Sequence, residues 1–209
     1  MARKQEYGMA LNWGYVGTSL VILTVLTLLV LYMPGMREID ANILRSIRLS
    51  LAPYPTYIPT FINEFYPCVH FYWPQIAACS ILVSHQKYLK CFLLIFFTKA
   101  TSLLTLFIKD FVCRERPQGC GYEGFSFPSH HSSVTMCFYG ILIYLVFKHV
   151  SSEFWRYFLA VFFGLIIAIT ALSRMWFGVH YLSDVIAGLF LGFMMVNLFI
   201  IVSKYLSNR

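Results

Sequence analysis

Six long apolar runs divide this chain, and short polar segments separate them. The runs cover residues 11–33, 66–85, 88–108, 132–150, 156–173 and 181–203. Most are close to the length of about 20 residues that an α-helix needs to cross the hydrocarbon core of a bilayer. The pattern therefore predicts an all-α, polytopic membrane protein with six transmembrane helices in one domain, residues 1–209.

The first run, Leu11 to Met33, has to be distinguished from a cleaved signal peptide. A secretory signal peptide has a shorter apolar core and ends at an Ala-x-Ala-like cleavage site. Here the run continues to Met33 and is followed by Pro34, Gly35 and Met36. We therefore expect a retained transmembrane helix.

Apolar residues recur at helical spacing between the first two runs. They are Ile39, Ile43, Leu44, Ile47 and Leu51. Arg45 and Arg48 fall on the opposite side, a pattern typical of an amphipathic helix that lies along the membrane surface. Prolines at positions 53, 55 and 59 then end the helical pattern.

Composition supports the membrane prediction and changes the interpretation of the charge. Hydrophobic residues make up 59% of the chain and charged residues only 12%, which is too little charge to cover a soluble domain of this size. A net charge of +7 would suggest a nucleic-acid partner in a soluble protein. Most Lys and Arg residues lie at the ends of apolar runs, where they anchor to lipid headgroups. The predicted partner is therefore the bilayer and not a nucleic acid.

Loop charge also predicts the orientation of the helices. With six helices, both termini lie on one side, and Lys and Arg residues divide almost equally between the two sides. If several cations on the side away from the termini serve chemistry, they do not count toward orientation. The side with the termini then has the excess of Lys and Arg, which places the termini in the cytoplasm. The polar segments described next then lie on the outer face.

Three polar segments on that predicted side carry chemical groups. They are Lys109 to Pro117, Phe127 to His131, and Ser173 to Asp184. Cations from two of them, Lys109, Arg116 and Arg174, can converge on one anion, and the planar fork of arginine matches pairs of phosphate oxygens. Phosphoryl transfer needs such a clamp, because its transition state spreads charge over the equatorial oxygens.

The middle segment and the last one supply groups suited to nucleophilic catalysis. Ser129, just before an apolar run, is a favoured helix N-cap, and the free amides after it would point at a bound phosphate. His180 and Asp184 are four residues apart, which predicts that both lie on one face of the last helix. A carboxylate that fixes the histidine tautomer prepares a nucleophile, and His131 can protonate a leaving oxygen. Each piece alone also fits a surface contact, a membrane anchor or an ordinary cap.

Taken together, the three segments resemble the type 2 phosphatidic acid phosphatase (PAP2) superfamily, which carries K-x6-RP, then PSGH, then SR-x5-H-x3-D. The first and third motifs are matched in full, at Lys109, Arg116, Pro117, Ser173, Arg174, His180 and Asp184. The middle motif reads Pro-Ser-His-His, so His130 stands where the family has glycine. Glycine serves where backbone must approach a ligand closely or take a positive φ. Histidine is acceptable at a helix start, or it indicates a tighter pocket, and both interpretations stay open.

The resemblance also implies a role for each residue. The phosphate would be bound by Lys109, Arg116, Ser129, Arg174 and the backbone amide of His130. His131 would be the general acid, His180 would form the phosphohistidine, and Asp184 would orient His180. No metal and no cofactor would take part.

The resemblance implies a substrate class but not one headgroup. The reaction would be hydrolysis of a lipid phosphomonoester or diphosphate in the bacterial inner membrane, with phosphatidylglycerophosphate, phosphatidate, undecaprenyl diphosphate and lipid A phosphates as candidates. One alternative is a lipid phosphotransferase with the same phosphohistidine chemistry. Another is a transporter or scaffold on the same fold, which the intact His131, His180 and Asp184 disfavour.

The cysteines leave one question open. No Cys pair or Cys/His cluster has zinc-site spacing. Cys113 and Cys120 bracket Arg116 on the predicted oxidising side, where either a disulfide or two free thiols would be compatible with the sequence.

Overall fold

The structure is a computed structural model that describes residues 2–51 and 73–207, with side chains described from residue 10 onward. Within these ranges the chain forms seven α-helices and no strand, so the predicted all-α class is confirmed. The helices are α1 (Ala2–Tyr32), α2 (Met36–Leu51), α3 (Trp73–Ser84), α4 (Tyr88–Val112), α5 (His130–His149), α6 (Glu153–Trp176) and α7 (Leu182–Ser207).

Five of the described helices are long and apolar enough to cross a membrane: α1 from Ala10 onward, α4, α5, α6 and α7. The helix α3 is apolar but only 12 residues long as described. The predicted run at 66–85 begins within residues 52–72, which lie outside the described residues, as do the three prolines. A sixth membrane helix therefore stays a prediction.

The predicted amphipathic helix is present as α2. Leu44 on its apolar side is buried, whereas Arg45 and Arg48 are exposed. Asp40 is also buried, with 2% of its surface exposed, which the sequence pattern did not predict. Whether α2 lies along the membrane surface stays a prediction.

Two boundaries differ from the sequence pattern at the polar segments. The helix α4 continues to Val112, so Lys109 lies in its last turn rather than in the connection. The connection itself runs from Cys113 to Ser129. The helix ends only at Cys113, a left-handed C-cap with φ of 51° whose amide donates to the carbonyl oxygen of Lys109.

Helices α5 and α7 form the centre of the bundle, with α1 and α4 packed around α7, and α4 and α6 around α5. Fully buried residues from three of these helices, Leu94, Ile141 and Phe199, pack in the largest core cluster. Large apolar side chains on α1, α4 and α6 are instead exposed, among them Leu20, Phe107 and Val161. Such a surface suits contact with lipid.

Two glycines of α7 allow the central helices to approach closely. A Cβ on Gly188 would lie 2.6 Å from the carbonyl oxygen of Ser129, and one on Gly192 would overlap the carbonyl oxygen of Ser133. Small residues are what let membrane helices bring their backbones together. The close approach places the N-terminal end of α5 directly beside the N-terminal end of α7.

The polar segments gather at one end of the bundle. The C-terminal ends of α4 and α6 meet the N-terminal ends of α5 and α7 there, and α2 packs against α6 and α7. The start of α1 and the end of α7 lie toward the opposite end. The fold thus brings distant parts of the sequence to one site.

Candidate active site

Lys109 fixes the connection between α4 and α5. Its Nζ donates to the carbonyl oxygens of Phe125 at 2.5 Å and Ser126 at 3.0 Å, and the residue is only 7% exposed. The amide of Ser126 in turn donates to the carbonyl oxygen of Arg114. Because an ammonium group carries three donors, Lys109 retains one N–H for an anion.

Arg116 joins this connection to the segment before α7. Its Nε donates to the carbonyl oxygen of Glu123 at 3.2 Å, and its Nη1 donates to that of Val179 at 3.0 Å. The same Nη1 lies 3.4 Å from Nε2 of His180. The guanidinium group therefore sits beside one ring nitrogen of the predicted nucleophile.

The end of α6 positions the next two predicted residues. Arg174 lies in its last turn, 2% exposed, with Nε donating to Oγ of Ser173 at 3.2 Å. Gly178 has φ of 68°, and the amides of Gly178 and Val179 donate to the carbonyl oxygens of Met175 and Arg174. This is a Schellman C-cap, whose left-handed residue is usually glycine. It ends α6 and leads directly to His180.

The structure corrects the predicted placement of His180 and Asp184 on one helix face. The helix α7 begins at Leu182, so His180 lies in the turn before it and Asp184 in the first helical turn. Asp184 Oδ2 accepts the amide of Tyr181 at 2.9 Å, as the third residue of a capping box does. The same oxygen lies 3.4 Å from Nδ1 of His180. The capping contact thus aims the carboxylate back at the ring.

The environment of His180 keeps its imidazole neutral near pH 7. Burial lowers the pKa of His180 to about 4, and the cations Lys109 and Arg116 act in the same direction, while Asp184 opposes them. Burial disfavours the charged form of a histidine because the low-dielectric interior solvates it poorly. Since Asp184 faces Nδ1, the nitrogen beside Arg116, Nε2, is the one left with a lone pair.

Ser129 is the N-cap of α5, as predicted. Its Oγ accepts from the amide of Ser132 at 3.5 Å and from Ser132 Oγ at 3.0 Å. Its own amide donates to the carbonyl oxygen of Asp184 at 2.9 Å. The starts of α5 and α7 are therefore joined through their backbones as well as through close packing.

The adjacent histidines of α5 point toward different partners. Nε2 of His130 pairs with Oγ of Ser102 on α4 at 2.9 Å. His130 interacts electrostatically with Lys109, whereas His131 interacts with both arginines, Arg116 and Arg174, and with His180 itself.

Two residues that the motifs do not include are buried behind Asp184. Arg114 donates through Nη1 to Asp184 Oδ1 at 2.6 Å and through Nη2 to Asp40 Oδ2 at 2.7 Å. Neither residue stands out in the sequence, where Arg114 is one of several loop cations and Asp40 belongs to no motif. The helical spacing does indicate that Asp40 is buried, because it lies four residues before Leu44 and so falls on the apolar side of α2.

The two cysteines that bracket Arg116 are not bonded to each other. Cys113 and Cys120 are free thiols, and Cys113 Sγ donates to the carbonyl oxygen of Asp110 at 2.9 Å. Across residues 2–51 and 73–207, no group of three or more His, Cys, Asp or Glu side chains is arranged to hold a metal ion.

Comparison with known proteins agrees with this geometry. The chain is 32% identical over 100 residues to phosphatidylglycerophosphatase B of Bacillus subtilis (strain 168), a match that covers 44% of this chain and 48% of the relative. The matched segment thus spans about half the length of that curated relative. The fold is also similar to the crystal structure of the first transmembrane PAP2 type phosphatidylglycerolphosphate phosphatase from Bacillus subtilis, with a TM-score of 0.80 at 21% identity. That likeness covers 91% of this chain and 96% of the other.

The family is shown by a longer sequence match. The family model of the PAP2 superfamily matches residues 89–207, which is more than half of the chain and includes all three polar segments. The predicted resemblance is confirmed, and the chain belongs to the PAP2 superfamily.

Proposed function

We propose that this chain is a membrane lipid phosphatase that hydrolyses a lipid phosphomonoester or diphosphate through a phosphohistidine on His180. One observation carries the proposal: a buried, neutral histidine with a carboxylate at one ring nitrogen and an arginine at the other. A neutral imidazole held in this way is a nucleophile, and the cation beside it is where the phosphate would lie.

The proposed first step transfers the phosphoryl group to the enzyme. Nε2 of His180 attacks phosphorus while Lys109, Arg116 and Arg174 hold the phosphate oxygens. The amides at the start of α5 and the Ser129 hydroxyl add further donors. His131 gives its proton to the leaving oxygen, and Asp184 stabilises the positive charge that develops on the His180 ring.

The proposed second step releases phosphate. His131, now neutral, takes a proton from water, whose oxygen attacks the phosphohistidine, and His180 is restored. The cationic clamp stabilises the equatorial oxygens in both steps. Because these side chains supply the charge stabilisation that a metal ion would otherwise provide, the proposed reaction is independent of added metal.

The likeness to phosphatidylglycerophosphatase B supports a phospholipid of that class as the first substrate to test. Exposed apolar residues near the site end, Phe107 and Phe111 of α4 and Leu172 of α6, suit acyl chains that arrive sideways from the bilayer. We further propose that the site opens to the periplasmic face of the bacterial inner membrane.

The proposal is tested with purified protein in detergent–lipid micelles. Phosphate release is measured from phosphatidylglycerophosphate, phosphatidate, undecaprenyl diphosphate and lipid A phosphates, each with and without EDTA. Release from at least one lipid, absent from a His180→Gln control, is expected. Absence of release from every lipid in the panel, with folded protein, would contradict the proposal.

A further inference from the structure

We propose that Asp40 and Arg114 are positioning residues that, with Ser183, hold the Asp184 carboxylate and keep its negative charge available to His180. The inference rests on the proposed function, because it concerns how His180 is prepared for attack. Asp40 comes from α2, far from the motifs in sequence, and Arg114 lies inside the first motif at a position that the motif leaves open.

The contacts form a closed network. Arg114 Nη1 donates to Asp184 Oδ1 and to Ser183 Oγ, both at 2.6 Å, and Nη2 donates to Asp40 Oδ2 at 2.7 Å. Ser183 closes the ring, since its Oγ donates to Asp40 Oδ2 and its amide donates to Asp40 Oδ1 at 3.3 Å. All four residues are buried, with exposed fractions from 0% to 9%.

This network fixes which oxygen of Asp184 faces the histidine. Oδ1 is held by Arg114, whereas Oδ2 accepts the Tyr181 amide and faces His180 Nδ1. With both oxygens engaged, the carboxylate cannot rotate without breaking a buried charged hydrogen bond. The orientation of the His180 ring therefore depends on groups that do not touch it.

The charges in the network explain why Asp40 is present. An arginine paired with Asp184 alone would neutralise it and weaken its effect on the imidazolium that forms during phosphoryl transfer. Asp40 takes up the charge of Arg114 from the other side. The cluster of one cation and two carboxylates is thereby left with a net negative charge adjacent to His180.

Arg114 is not placed to bind the phosphate itself. Both of its terminal nitrogens are engaged by Asp40, Ser183 and Asp184, and its guanidinium carbon lies 4.3 Å from the centroid of the Tyr181 ring. Arg116, two residues later, has the contacts to Val179 and His180 instead. Two arginines of one loop thus serve opposite sides of the same histidine.

The chain offers a matched control for mutagenesis. Arg37 of α2 pairs with Glu115 of the same loop at 2.8 Å, but the two side chains are 55% and 73% exposed. This pair links the same two parts of the chain as Asp40 and Arg114 do, without contacting Asp184. Arg37 is also hydrogen-bonded to Tyr181, so Glu115→Gln is the variant that reports what is lost when α2 and the loop lose only an ion pair.

The first measurement compares kcat and KM of Asp40→Asn and Arg114→Gln with those of the control variant Glu115→Gln. We expect kcat to fall about 10-fold or more in the buried variants, by analogy with the scale found when outer-shell partners of metal-ligating histidines are removed. KM should change little, because the phosphate-binding cations are intact. Glu115→Gln should keep the kcat of the parent chain.

The second measurement separates charge from structure through the pH profile. The groups around His180 are Asp184 of α7, Lys109 of α4, His131 of α5 and Arg116 of the loop. Asp40→Asn removes negative charge behind Asp184, so His180 binds a proton less readily and the variant keeps a larger share of its pH 7 activity at pH 4. Arg114→Gln removes positive charge and should keep a smaller share.

The double variant Asp40→Asn/Arg114→Gln removes one charge of each sign, so its pH profile should return toward that of the parent chain. Ser183→Ala, which keeps all charges, should leave the pH profile unchanged.

Two results would overturn the inference: pH profiles that shift in the same direction for both single variants, or kcat values equal to that of the exposed control. If the parent chain releases no phosphate from any lipid, the proposed function fails instead. Thermal unfolding and size-exclusion profiles identify variants that do not fold. If the charge variants do not fold, Ser183→Ala is used for the kcat comparison, because it is the mildest change. A small fall in its kcat is expected, and an unchanged kcat would count against the network.

Discussion

On one side of the His180 ring lie cations whose hydrogen bonds go mainly to main-chain carbonyl oxygens, as those of Lys109 and Arg116 do. On the other side, the Asp184 carboxylate is enclosed by an arginine, an amide and a second carboxylate. The first region keeps donors for a ligand, whereas in the second both carboxylates and both terminal nitrogens of Arg114 already have partners inside the protein. This difference is what the proposed function requires: a phosphate that binds on the cation side, and a carboxylate side that prepares the histidine.

Removing His180, the residue between the two sides, is the strictest test of this difference. We expect His180→Ala to lose turnover by at least about 10⁴-fold, because loss of a nucleophile removes the reaction path itself. An aryl phosphate with a good leaving group should not restore activity. Phosphate release is the measurement, with exposed His85→Ala as a control that keeps full activity. Substantial turnover by His180→Ala would show that the nucleophile lies elsewhere.

The two neighbouring histidines sharpen the assignment on the cation side. His131→Ala should lose about 10²-fold or more in turnover of the lipid, the usual scale for a general acid. An aryl phosphate should recover part of that loss, since its leaving group needs less protonation. His130→Gly should retain substantial activity, because its side chain pairs with Ser102 and is not hydrogen-bonded to His180 or to the two arginines. A dead His130→Gly beside an active His131→Ala would reverse the two assignments.

Removing Arg116 tests whether the cation side binds phosphate. Arg116→Gln should raise KM for the lipid and weaken inhibition by vanadate by about 10- to 100-fold, because a hydrogen bond to a charged group contributes about 1.5–3 kcal/mol. Arg45→Gln of α2, an exposed arginine outside the site, is the matched control and should leave both values in place. Equal effects of the two substitutions would mean that Arg116 acts only through general surface charge.

The acid limit of activity tests the balance between the two sides. His180 must be neutral to attack, and its pKa is lowered to about 4 by burial. Activity on an aryl phosphate should therefore hold as the pH falls from 7 to about 5, and drop to about half near pH 4 as the ring binds a proton. An acid limb near pH 6.5, the ordinary value for histidine, would mean that the site is far more hydrated than its burial indicates.

Chelation should have the smallest effect. EDTA is expected to leave phosphate release unchanged, because Lys109, Arg116 and Arg174 provide the stabilising charge. The check is a parallel assay with EDTA alone and with excess Mg²⁺ restored. Loss of turnover with EDTA and recovery with Mg²⁺ would require a metal-assisted step in place of the cationic clamp.

Much of this architecture follows from local sequence. Apolar runs of about 20 residues located five of the membrane helices, because the bilayer fixes the length of a spanning helix. The motif spacings likewise identified Lys109, Arg116, Arg174 and His180, which the fold brings to one end of the bundle. Ser129 was recognisable as an N-cap because its residue type and its position before an apolar run point to the same role.

What the sequence did not reveal depends on contacts between distant segments. The partner of Arg114 on α2 is 74 residues away, and no local pattern links the two. His180 was assigned to a helix face because four-residue spacing looks alike inside a helix and across its N-terminus. Only the Schellman turn at Gly178 and the capping contact of Asp184 distinguish these cases.

The glycines at 188 and 192 give the protein an unusual vulnerability. Neither has a side chain that takes part in chemistry, yet both set how near the start of α5 can come to the start of α7. A single added methyl group at Gly188 would wedge the two helices apart and carry His131 away from His180 without altering either histidine. In a screen of random variants, such a position would score like a catalytic residue, although the only thing it contributes is empty space.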